Sequence, residues 1–533
     1  MAASDEPNSA TAVSAALVKH LARPDAFPHA VDQLEILETH ISWIVLTGPY
    51  AYKIKKPLDL GFLDFSTLEL RKHFCAEELR LNQRYAPQIY VDVVPIGGSI
   101  EQPQVGLEPA LDWAVRMHQF PEAARLDHQA ATKLISVADM QTLAESIASM
   151  HDQAAVAPPD GPFGTAEAVC KPTLDNFQSL KRNCPGPALQ QQLAGLEAWN
   201  LREVERLSSV FPTRLTQGRI RECHGDLHLA NLVRIDQEIV AFDCLEFNPA
   251  LRWIDVMSEV SFLVMDALVH DRSDLAYAFL NRYLERTGDY AGIELLPFYL
   301  VYRCLVRAKV AAVRLRQSPK TTDLKPITRY VNLASSLTQP TGKPTLIITH
   351  GLSGSGKTWL TEQLMVALPA IRLRSDLERK RLHGLSSMQS SNSELAGGIY
   401  NKSASAATYD HLANAAKTCL SAGFSTIVDA AFLQLGQRSV FSALAAGLRI
   451  PFTIVDCQAS EETLRLRITA RSAEARDASE ADLAVLDHQL ATARPLVDRE
   501  RQHAVRVDSE HEINIQALIQ RIRATQFEGT ESE

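Results

Sequence analysis

Residues 351–358 read Gly-Leu-Ser-Gly-Ser-Gly-Lys-Thr and match the phosphate-loop pattern G-x-x-x-x-G-K-[ST] at every fixed position. An apolar run precedes the loop at 345–349, and residues 359–365 follow with apolar side chains at helical spacing. A strand, a glycine loop and a helix N-terminus together let backbone N–H groups surround a phosphate. In this pattern the lysine reaches the β- and γ-phosphates of a nucleotide, and the following hydroxyl holds Mg²⁺. The residues predicted to bind nucleotide are Gly351, Ser353, Gly354, Ser355, Gly356, Lys357 and Thr358, with Thr358 also a metal ligand.

A second group of polar residues lies around residues 223–243. Asp226 and Asn231 are five residues apart in one segment, and Asp243 follows the apolar run 239–242. Transfer of a phosphoryl group to a hydroxyl needs one carboxylate that orients the hydroxyl and takes its proton. It also needs an Asn and a second Asp that hold Mg²⁺ against the nucleotide phosphates. Protein kinases have the same spacing in H-R-D-x-x-x-x-N followed by D-F-G.

A lysine and a glutamate nearer the N-terminus complete this second group. Segments 41–47 and 51–56 predict two strands joined by a tight turn, and the second strand carries Lys53. The helix that follows begins at Ser66 or Thr67 and carries Glu78. Kinase-like folds hold the α- and β-phosphates of ATP with such a lysine–glutamate pair. Lys55 and Glu77 are alternatives for the two partners. Taken alone, such a lysine is more commonly a surface lysine on an edge strand.

Further candidates follow the phosphate loop. Asp376 comes after the predicted strand 370–375, where it could orient an acceptor hydroxyl or help to hold Mg²⁺. Asp429 ends an apolar strand, the Walker B arrangement of a metal ligand. Four arginines precede the segment 477–481, and arginines in a mobile lid stabilise charge on a transferred phosphoryl group. The lid function is predicted for Arg471 and Arg476, whereas a solvated helix face explains Arg465 and Arg467 at least as well.

The elements that must position these residues fall into two domains. Beyond residue 344, strands alternate with helices, and the apolar strands predict a five-stranded parallel sheet. Its strands are predicted at 345–350, 370–375, 425–429, 452–457 and 503–508. The breaker-rich joint 338–344 is short, so we expect the two domains to touch. The predicted division is a disordered tail at 1–10, a first domain at 11–337, the linker at 338–344, a second domain at 345–527 and a tail at 528–533.

The segment His-Gly-Asp-Leu-His-x-x-Asn at 224–231 resembles the catalytic loop of the aminoglycoside phosphotransferase and choline kinase-like family. The resemblance implies an α+β protein-kinase-like fold with Asp226 as the catalytic base and Asn231 and Asp243 as Mg²⁺ ligands. It also implies that Asp255 braces the site and that His151 is the family's helix-borne histidine. One departure is that no G-x-G-x-x-G precedes Lys53, so the turn at 38–40 must cover the phosphates in another way.

The second domain resembles P-loop kinases of the gluconate kinase, chloramphenicol phosphotransferase and zeta-toxin type, on residues 351–358, 374–381, 427–438 and 471–481. Bacterial proteins described as bifunctional aminoglycoside phosphotransferase and ATP-binding proteins have both parts in this order. The implied fold class is therefore a protein-kinase-like α+β domain followed by an α/β P-loop kinase domain. The resemblance implies ATP and Mg²⁺ as cofactors, and small molecules with hydroxyl groups as acceptors.

The composition limits the classes of partner. The chain is 46% hydrophobic and 22% charged, which is typical of globular proteins, and its net charge is -9. Neither part has the basic excess of a general nucleic-acid binder, so a nucleic-acid partner is not expected. Eight cysteines without a C-x-x-C pair predict free thiols in a reducing compartment. The polar N-terminus is unlike a signal peptide and no long apolar run exists, so the sequence predicts a cytoplasmic protein without a membrane span.

The hypothesis that follows is an ATP- and Mg²⁺-dependent phosphotransferase with two sites and unidentified small-molecule acceptors. Two alternatives stay open. In the first, one domain is not catalytic and the chain is an ATP-binding or ATP-hydrolysing regulator. In the second, the P-loop domain phosphorylates a polynucleotide 5′-hydroxyl. The sequence alone names no acceptor and no oligomeric state.

Overall fold

The computed structural model describes residues 9–61, 63–184, 186–317, 323–339, 342–387, 389–391, 397–474 and 479–527. The chain divides into two compact units. The first unit consists of Met1–Ile135, Ser149–Pro172 and Ser208–Asp266. The second consists of Ser136–Ala148, Thr173–Leu207 and Ala267–Glu533.

The first unit begins with an antiparallel sheet. Its elements are α1 (Ser9–His20), β1 (Glu35–Glu38), β2 (Ser42–Leu46), β3 (Tyr50–Lys55), α2 (Leu68–Asn82), β4 (Tyr90–Gly98), β5 (Pro103–Val105), β6 (Ala110–His118) and α3 (Leu126–Ala131). The six strands lie in the order β1-β2-β3-β6-β4-β5. Because side chains alternate along a strand, β3 has two different faces. Tyr52 and Ile54 pack in the core that contains α1, whereas Ala51, Lys53 and Lys55 lie on the opposite face.

Helix α2 is aligned against that face of β3. Its first turn is capped by Thr67, whose hydroxyl accepts a hydrogen bond from the Leu70 N–H at 3.2 Å. Cys75 of α2 packs with Ala51 of β3 in one core cluster. Glu78 follows Cys75 by three residues and therefore lies on the same side of the helix. The cap and the apolar contact together aim Glu78 at the two lysines of β3.

Mixed elements follow α3 and carry the polar loops. They are α4 (Val137–Gln153), α5 (Ala166–Asn183), α6 (Pro187–Arg206), α7 (Val210–Thr216), β7 (Ile220–Glu222), β8 (Leu232–Ile235), β9 (Glu238–Ala241), β10 (Trp253–Asp255) and α8 (Val256–Val269). Strands β7 and β10 pair antiparallel, and β8 and β9 form a hairpin. The segment 223–231 therefore connects one strand pair to the other, and the segment 242–252 connects them back.

The second unit combines helices with a parallel sheet. Its helices before residue 340 include α9 (Ser273–Thr287), α10 (Leu296–Gln317) and α11 (Lys325–Thr338). The later elements are β11 (Leu346–His350), α12 (Lys357–Ala367), β12 (Ala370–Arg374), α13 (Ser375–Leu382), α14 (Lys402–Ser421), β13 (Ser425–Asp429), α15 (Leu435–Leu448), β14 (Phe452–Gln458), α16 (Glu461–Glu474), α17 (Leu483–Thr492), α18 (Asp498–Arg501), β15 (Ala504–Asp508) and α19 (Ile515–Phe527). The parallel strands lie in the order β12-β13-β11-β14-β15. Apolar side chains of α12 and α19 pack against one face of this sheet.

Helix α9 packs against the edge strand β12 of the parallel sheet. The Asn281 amide donates to the Ala370 carbonyl at 2.9 Å and accepts from the Arg372 N–H at 2.6 Å, which satisfies the backbone of the edge strand β12. The Arg372 guanidinium binds Glu285 at 2.6 Å, and both side chains are buried. The Tyr290 hydroxyl adds a bond to the Arg372 carbonyl at 3.2 Å. The edge strand of the sheet is thus held by residues that precede the joint at 338–344.

The predicted fold class is confirmed, with all five predicted parallel strands present and each end within one residue of its predicted position. The compact units do not divide at the joint 338–344, because α9, α10 and α11 belong with the parallel sheet. The predicted division into 11–337 and 345–527 separates the two sheets and otherwise stays a prediction. Ser9 and Ala10 already belong to α1, while residues 1–8, 340–341 and 528–533 lie outside the described residues.

Candidate active sites

The phosphate loop lies between β11 and α12, where close backbone packing requires glycine. Gly351 has φ +144°, and a Cβ atom there would lie 2.4 Å from the Cys457 carbonyl oxygen. Gly354 has φ +83°, and a Cβ atom there would lie 2.9 Å from the Leu464 carbonyl oxygen. Larger residues would push the loop away from β14 and α16. The glycines therefore form a narrow backbone cradle at the N-terminus of α12, as a phosphate site requires.

Lys357 is the first residue of α12 and lies against this cradle. Its ammonium group donates to the carbonyls of Gly351 at 3.0 Å and Leu352 at 2.7 Å, and lies 3.4 Å from the Ser355 hydroxyl. Burial lowers the pKa of Lys357, and the carboxylates of Asp429 and Asp376 only partly offset that effect. A buried ammonium with too little negative charge around it favours an anionic ligand.

A cavity of about 510 Å³ opens beside the loop. Eight of the predicted site residues line it: Ser353, Gly354, Gly356, Lys357, Thr358, Asp376, Asp429 and Arg471. Gly351 and Ser355 instead shape the loop from behind, and Ser355 is buried. The structure thus brings eight of the residues predicted for phosphate, acceptor, metal and lid functions in this unit to one cavity.

The metal and acceptor carboxylates come from neighbouring strand ends. Asp429 ends β13 and accepts a hydrogen bond from the Thr361 hydroxyl at 3.2 Å. Asp376 is in the first turn of α13, directly after β12. Strands β12 and β13 pair in parallel, so both carboxylates lie at the carboxyl edge of the sheet. The Asp429 carboxylate and the Thr358 hydroxyl are oxygen ligands of the kind that Mg²⁺ prefers.

The four arginines predicted near the lid differ in their contacts. Arg465 pairs with Glu461 at 2.8 Å on an exposed face of α16, which is the solvated arrangement. Arg467 lines the cavity and donates to the Gly354 carbonyl at 3.3 Å and the Ser509 carbonyl at 2.6 Å. Helical spacing alone does not reveal that this face of α16 meets the phosphate loop. Arg471 lines the cavity and donates to the Ala481 carbonyl at 2.6 Å. Arg476 lies outside the described residues.

In the first unit, both lysines of β3 bind the same glutamate. Lys53 lies 2.7 Å from Glu78, and Lys55 lies 2.6 Å from the other oxygen of that carboxylate. Burial alone would raise the pKa of Glu78, but the two lysines outweigh it and lower that pKa to about 2. Glu77 instead pairs with Arg80 at 2.9 Å. Of the alternatives that the sequence left open, the geometry selects Glu78 and retains both lysines.

Lys53 and Lys55 differ in their second partner. Lys53 also lies 2.5 Å from Asp243, whereas Lys55 binds the buried Glu246. Burial alone would lower the pKa of Lys53, but Asp243 and Glu78 raise it above its ordinary value. The Asp243 side chain is 45% exposed, so Lys53 is the lysine that meets the open side of the site. Lys55 joins Glu78 to the segment after Asp243.

The segment 223–231 brings its polar residues together. Asn231 donates from Nδ2 to the carboxylate of Asp226 at 2.9 Å and to its carbonyl at 3.0 Å. Asp243 has φ +63°, and its N–H donates to the Tyr90 hydroxyl at 3.0 Å. A left-handed backbone at a non-glycine residue is costly and marks a position that the surrounding structure fixes. The Asn231 amide and the Asp243 carboxylate are suitable oxygen ligands for Mg²⁺.

Glu259 of α8 binds the backbone of the segment 223–231. This residue was not among those predicted from the sequence. Its carboxylate accepts from the N–H groups of His224 and Gly225, each at 2.7 Å, and lies 3.5 Å from His151 Nε2. Burial would raise the pKa of Glu259, but its contacts with His151 and His224 lower it. The only available signal was its position on the helix four residues after Asp255.

Asp255 itself pairs with Arg214 at 2.7 Å and accepts from the Met257 N–H at 2.8 Å. It therefore ties α7 to the start of α8. Glu259 makes the contact with the backbone of 224–225, and the bracing function that the resemblance implies for Asp255 stays a prediction.

Residues 346–496 match a family model described as an AAA domain, which confirms the P-loop domain that the sequence predicts. Proteins of Mycobacterium tuberculosis and Mycobacterium bovis, named Uncharacterized protein Rv2004c and Uncharacterized protein Mb2027c, are each 28% identical over 475 residues. Each alignment covers 87% of this chain and 93% of the relative.

Similar solved structures include a choline/ethanolamine kinase family protein from Mesorhizobium loti, with 13% identity and a TM-score of 0.39, covering 62% of this chain and 95% of that one. A gluconokinase from Sinorhizobium meliloti 1021 has 19% identity and a TM-score of 0.25, covering 35% of this chain and 94% of that one. Among the described residues, no helix has the length and apolar character that crossing a bilayer requires.

Proposed function

We propose that the chain is an ATP- and Mg²⁺-dependent phosphotransferase with two sites, each acting on a hydroxyl group of a small molecule. The observation that carries the proposal is the cavity beside the phosphate loop. There, Lys357, Thr358, Asp429 and Asp376 line one space of about 510 Å³. This set contains a cation for phosphates, two oxygen ligands for a metal and a carboxylate for the acceptor.

In the P-loop site, the chain's own groups have separate tasks. The backbone cradle and Lys357 bind the nucleotide phosphates, and Thr358 and Asp429 would hold Mg²⁺. Asp376 orients the acceptor hydroxyl and takes its proton as the oxygen attacks the γ-phosphorus. The bond from that phosphorus to the bridging oxygen breaks, and ADP leaves. Arg471 stabilises the negative charge on the transferred group. Bound Mg²⁺ would neutralise charge on the phosphates between which the bond breaks.

In the kinase-like site, the Lys53–Glu78 pair supports the same chemistry. Lys53 would bind the α- and β-phosphates of ATP, with Glu78 holding its ammonium group in place. Asn231 and Asp243 would hold Mg²⁺, and Asp226 orients the acceptor hydroxyl. The hydrogen bond from Asn231 fixes the Asp226 carboxylate, which limits the loss of entropy when the acceptor binds.

The test is transfer of label from [γ-³²P]ATP into a metabolite extract by the full-length protein. Wild type is compared with Asp226→Asn, Lys357→Ala and the control Arg465→Ala, whose side chain is exposed on α16. We expect each site variant to lose a different labelled product and the control to lose none.

Other outcomes would replace the proposal. If only free phosphate forms and Lys357→Ala alone abolishes it, the kinase-like part is a binding module and the chain is an ATP-dependent regulator. If label enters only oligonucleotides with a 5′-hydroxyl, the P-loop site is a polynucleotide kinase. If the wild type forms no labelled product and no phosphate, the proposed activity is wrong.

A further inference from the structure

Arg379 is a buried cation on the acceptor side of the P-loop cavity. It belongs to α13, three residues after Asp376, so the two side chains lie on one face of the helix about 5–6 Å apart at Cβ. Both residues line the cavity. Arg379 is only 7% exposed, although a guanidinium stays charged in any protein environment.

The contacts of Arg379 leave its charge without an anionic partner. Its Nη1 donates to the Ile399 carbonyl at 3.0 Å and the Ser405 hydroxyl at 3.2 Å, and its guanidinium lies 5.0 Å from the Tyr400 ring centre. Its buried Nε has no hydrogen-bond partner among the described residues. Within that same part of the chain, no carboxylate forms an ion pair with it. The nearby Glu480 is engaged by Lys380 at 3.2 Å.

Two other buried arginines of this unit bind carboxylates. Arg372 binds Glu285 at 2.6 Å, and Arg438 binds both oxygens of Glu500 at 2.8 and 2.9 Å. A buried charge without a counter-charge destabilises a protein, and a guanidinium cannot relieve the cost by losing its proton. Such a residue in a cavity wall is therefore suited to an anion that arrives with a ligand.

We propose that Arg379 binds an anionic group, a carboxylate or a phosphate, of the acceptor in the P-loop site. This inference rests on the proposed phosphotransferase function and narrows its substrate class to small hydroxylated anions. Because Arg379 and Asp376 are one helical turn apart, the anionic group and the reacting hydroxyl of the acceptor are separated by only a few bonds. The planar guanidinium offers a carboxylate or phosphate two parallel hydrogen bonds.

The Arg379 guanidinium could instead contact a phosphate of the nucleotide. The experiment below distinguishes an anionic group of the acceptor from a nucleotide phosphate. Full-length wild type, Arg379→Met and Arg379→Lys are first titrated with AMP-PNP and Mg²⁺. Melting temperatures of the nucleotide-bound proteins are then measured in inorganic sulfate and in chloride of equal ionic strength. Arg438→Met is the structural control, since it breaks a buried ion pair outside the cavity lining.

We expect Arg379→Met to bind AMP-PNP as wild type does, and to melt at the same temperature or higher without sulfate. Sulfate stabilises folded proteins in general, so the melting temperature should rise in all three proteins. The rise should be largest in wild type and smallest in Arg379→Met, with Arg379→Lys between them. Transfer from [γ-³²P]ATP should favour glycerate or glycerol 3-phosphate over glycerol in wild type, and the preference should fall about tenfold or more in Arg379→Met.

Several results would overturn the proposal. An unchanged sulfate response in Arg379→Met, or none in wild type, would exclude an anion site at this residue. AMP-PNP binding weakened about tenfold in Arg379→Met would assign the guanidinium to the nucleotide. A loss of melting temperature as large as that of Arg438→Met would make Arg379 structural. Failure of wild type to bind AMP-PNP is a different result, which removes the proposed function and this subsite with it.

Discussion

The contact between α9 and the edge strand β12 provides a sharp test of how the second unit is built. Glu285→Ala would leave the Arg372 guanidinium buried, with 3% of its side chain exposed and its counter-charge removed. Breaking one side of a buried ion pair costs about 3–5 kcal/mol. Asn281→Ala would leave the Ala370 carbonyl and the Arg372 N–H unsatisfied, each at a cost of about 1–3 kcal/mol. We therefore expect either substitution to destabilise the parallel sheet, although Glu285 and Asn281 both precede the joint at 338–344.

The effect should also reach the phosphate loop. Arg372 Nη1 lies 3.4 Å from the Thr358 carbonyl, so a displaced Arg372 disturbs the first turn of α12. We expect weaker AMP-PNP binding in Glu285→Ala than in wild type. The double variant Glu285→Leu/Arg372→Met removes both charges and should recover much of the stability, because replacing a buried pair by apolar residues is often close to neutral.

Urea unfolding measures the free energy of unfolding. Because two compact units need not unfold in one step, hydrogen exchange of the peptide 370–374 shows whether the loss of stability lies at β12. Arg465→Ala is the control and should leave both measurements unchanged. A loss of less than about 1 kcal/mol in Glu285→Ala would contradict the expected cost of breaking this buried ion pair. A fragment beginning at residue 343 that folds and binds AMP-PNP like the full-length chain would refute the prediction that Glu285 and Asn281 stabilise the parallel sheet.

Three further predictions concern the first unit. Lys53→Met should abolish transfer at the kinase-like site with little loss of stability, whereas Lys55→Met should mainly lower stability, because Lys55 is fully buried; activity and urea unfolding of both variants check this. Glu259→Gln should lower kcat and change the KM for ATP less, since it loosens the backbone of 224–225 rather than the phosphate contacts. Steady-state kinetics measure both constants, and a larger effect on the KM than on kcat would contradict this prediction. The pKa of Glu78 is lowered from 4.5 to about 2, so its stabilising contribution is complete above pH 4.5 and is lost as pH falls towards 2. Acid unfolding of Glu78→Gln should lack this dependence, and an identical acid transition in both proteins would contradict the prediction.

Features that depend only on neighbouring residues could be predicted from the amino-acid sequence. The phosphate loop is one continuous segment, and its glycines and lysine are fixed by local backbone geometry. The five parallel strands are short apolar runs separated by helices, so composition and periodicity located them within one residue. The spacing of Asp226, Asn231 and Asp243 was also enough to propose the kinase-like site, because one loop and the segment after one hairpin carry all three.

The partners of residues that are distant along the chain could not be predicted in this way, because they depend on how the elements pack. Spacing placed Lys53 and Lys55 on one face of a strand, but only packing against α2 shows that they share Glu78. Residue spacing does not predict that Glu259 holds the backbone of 224–225 or that Arg467 meets the phosphate loop. Likewise, Asn281 and Glu285 look like ordinary positions of an amphipathic helix until β12 lies beside them. These contacts join residues far apart along the chain, and their energy depends on burial and on a partner that local sequence does not specify.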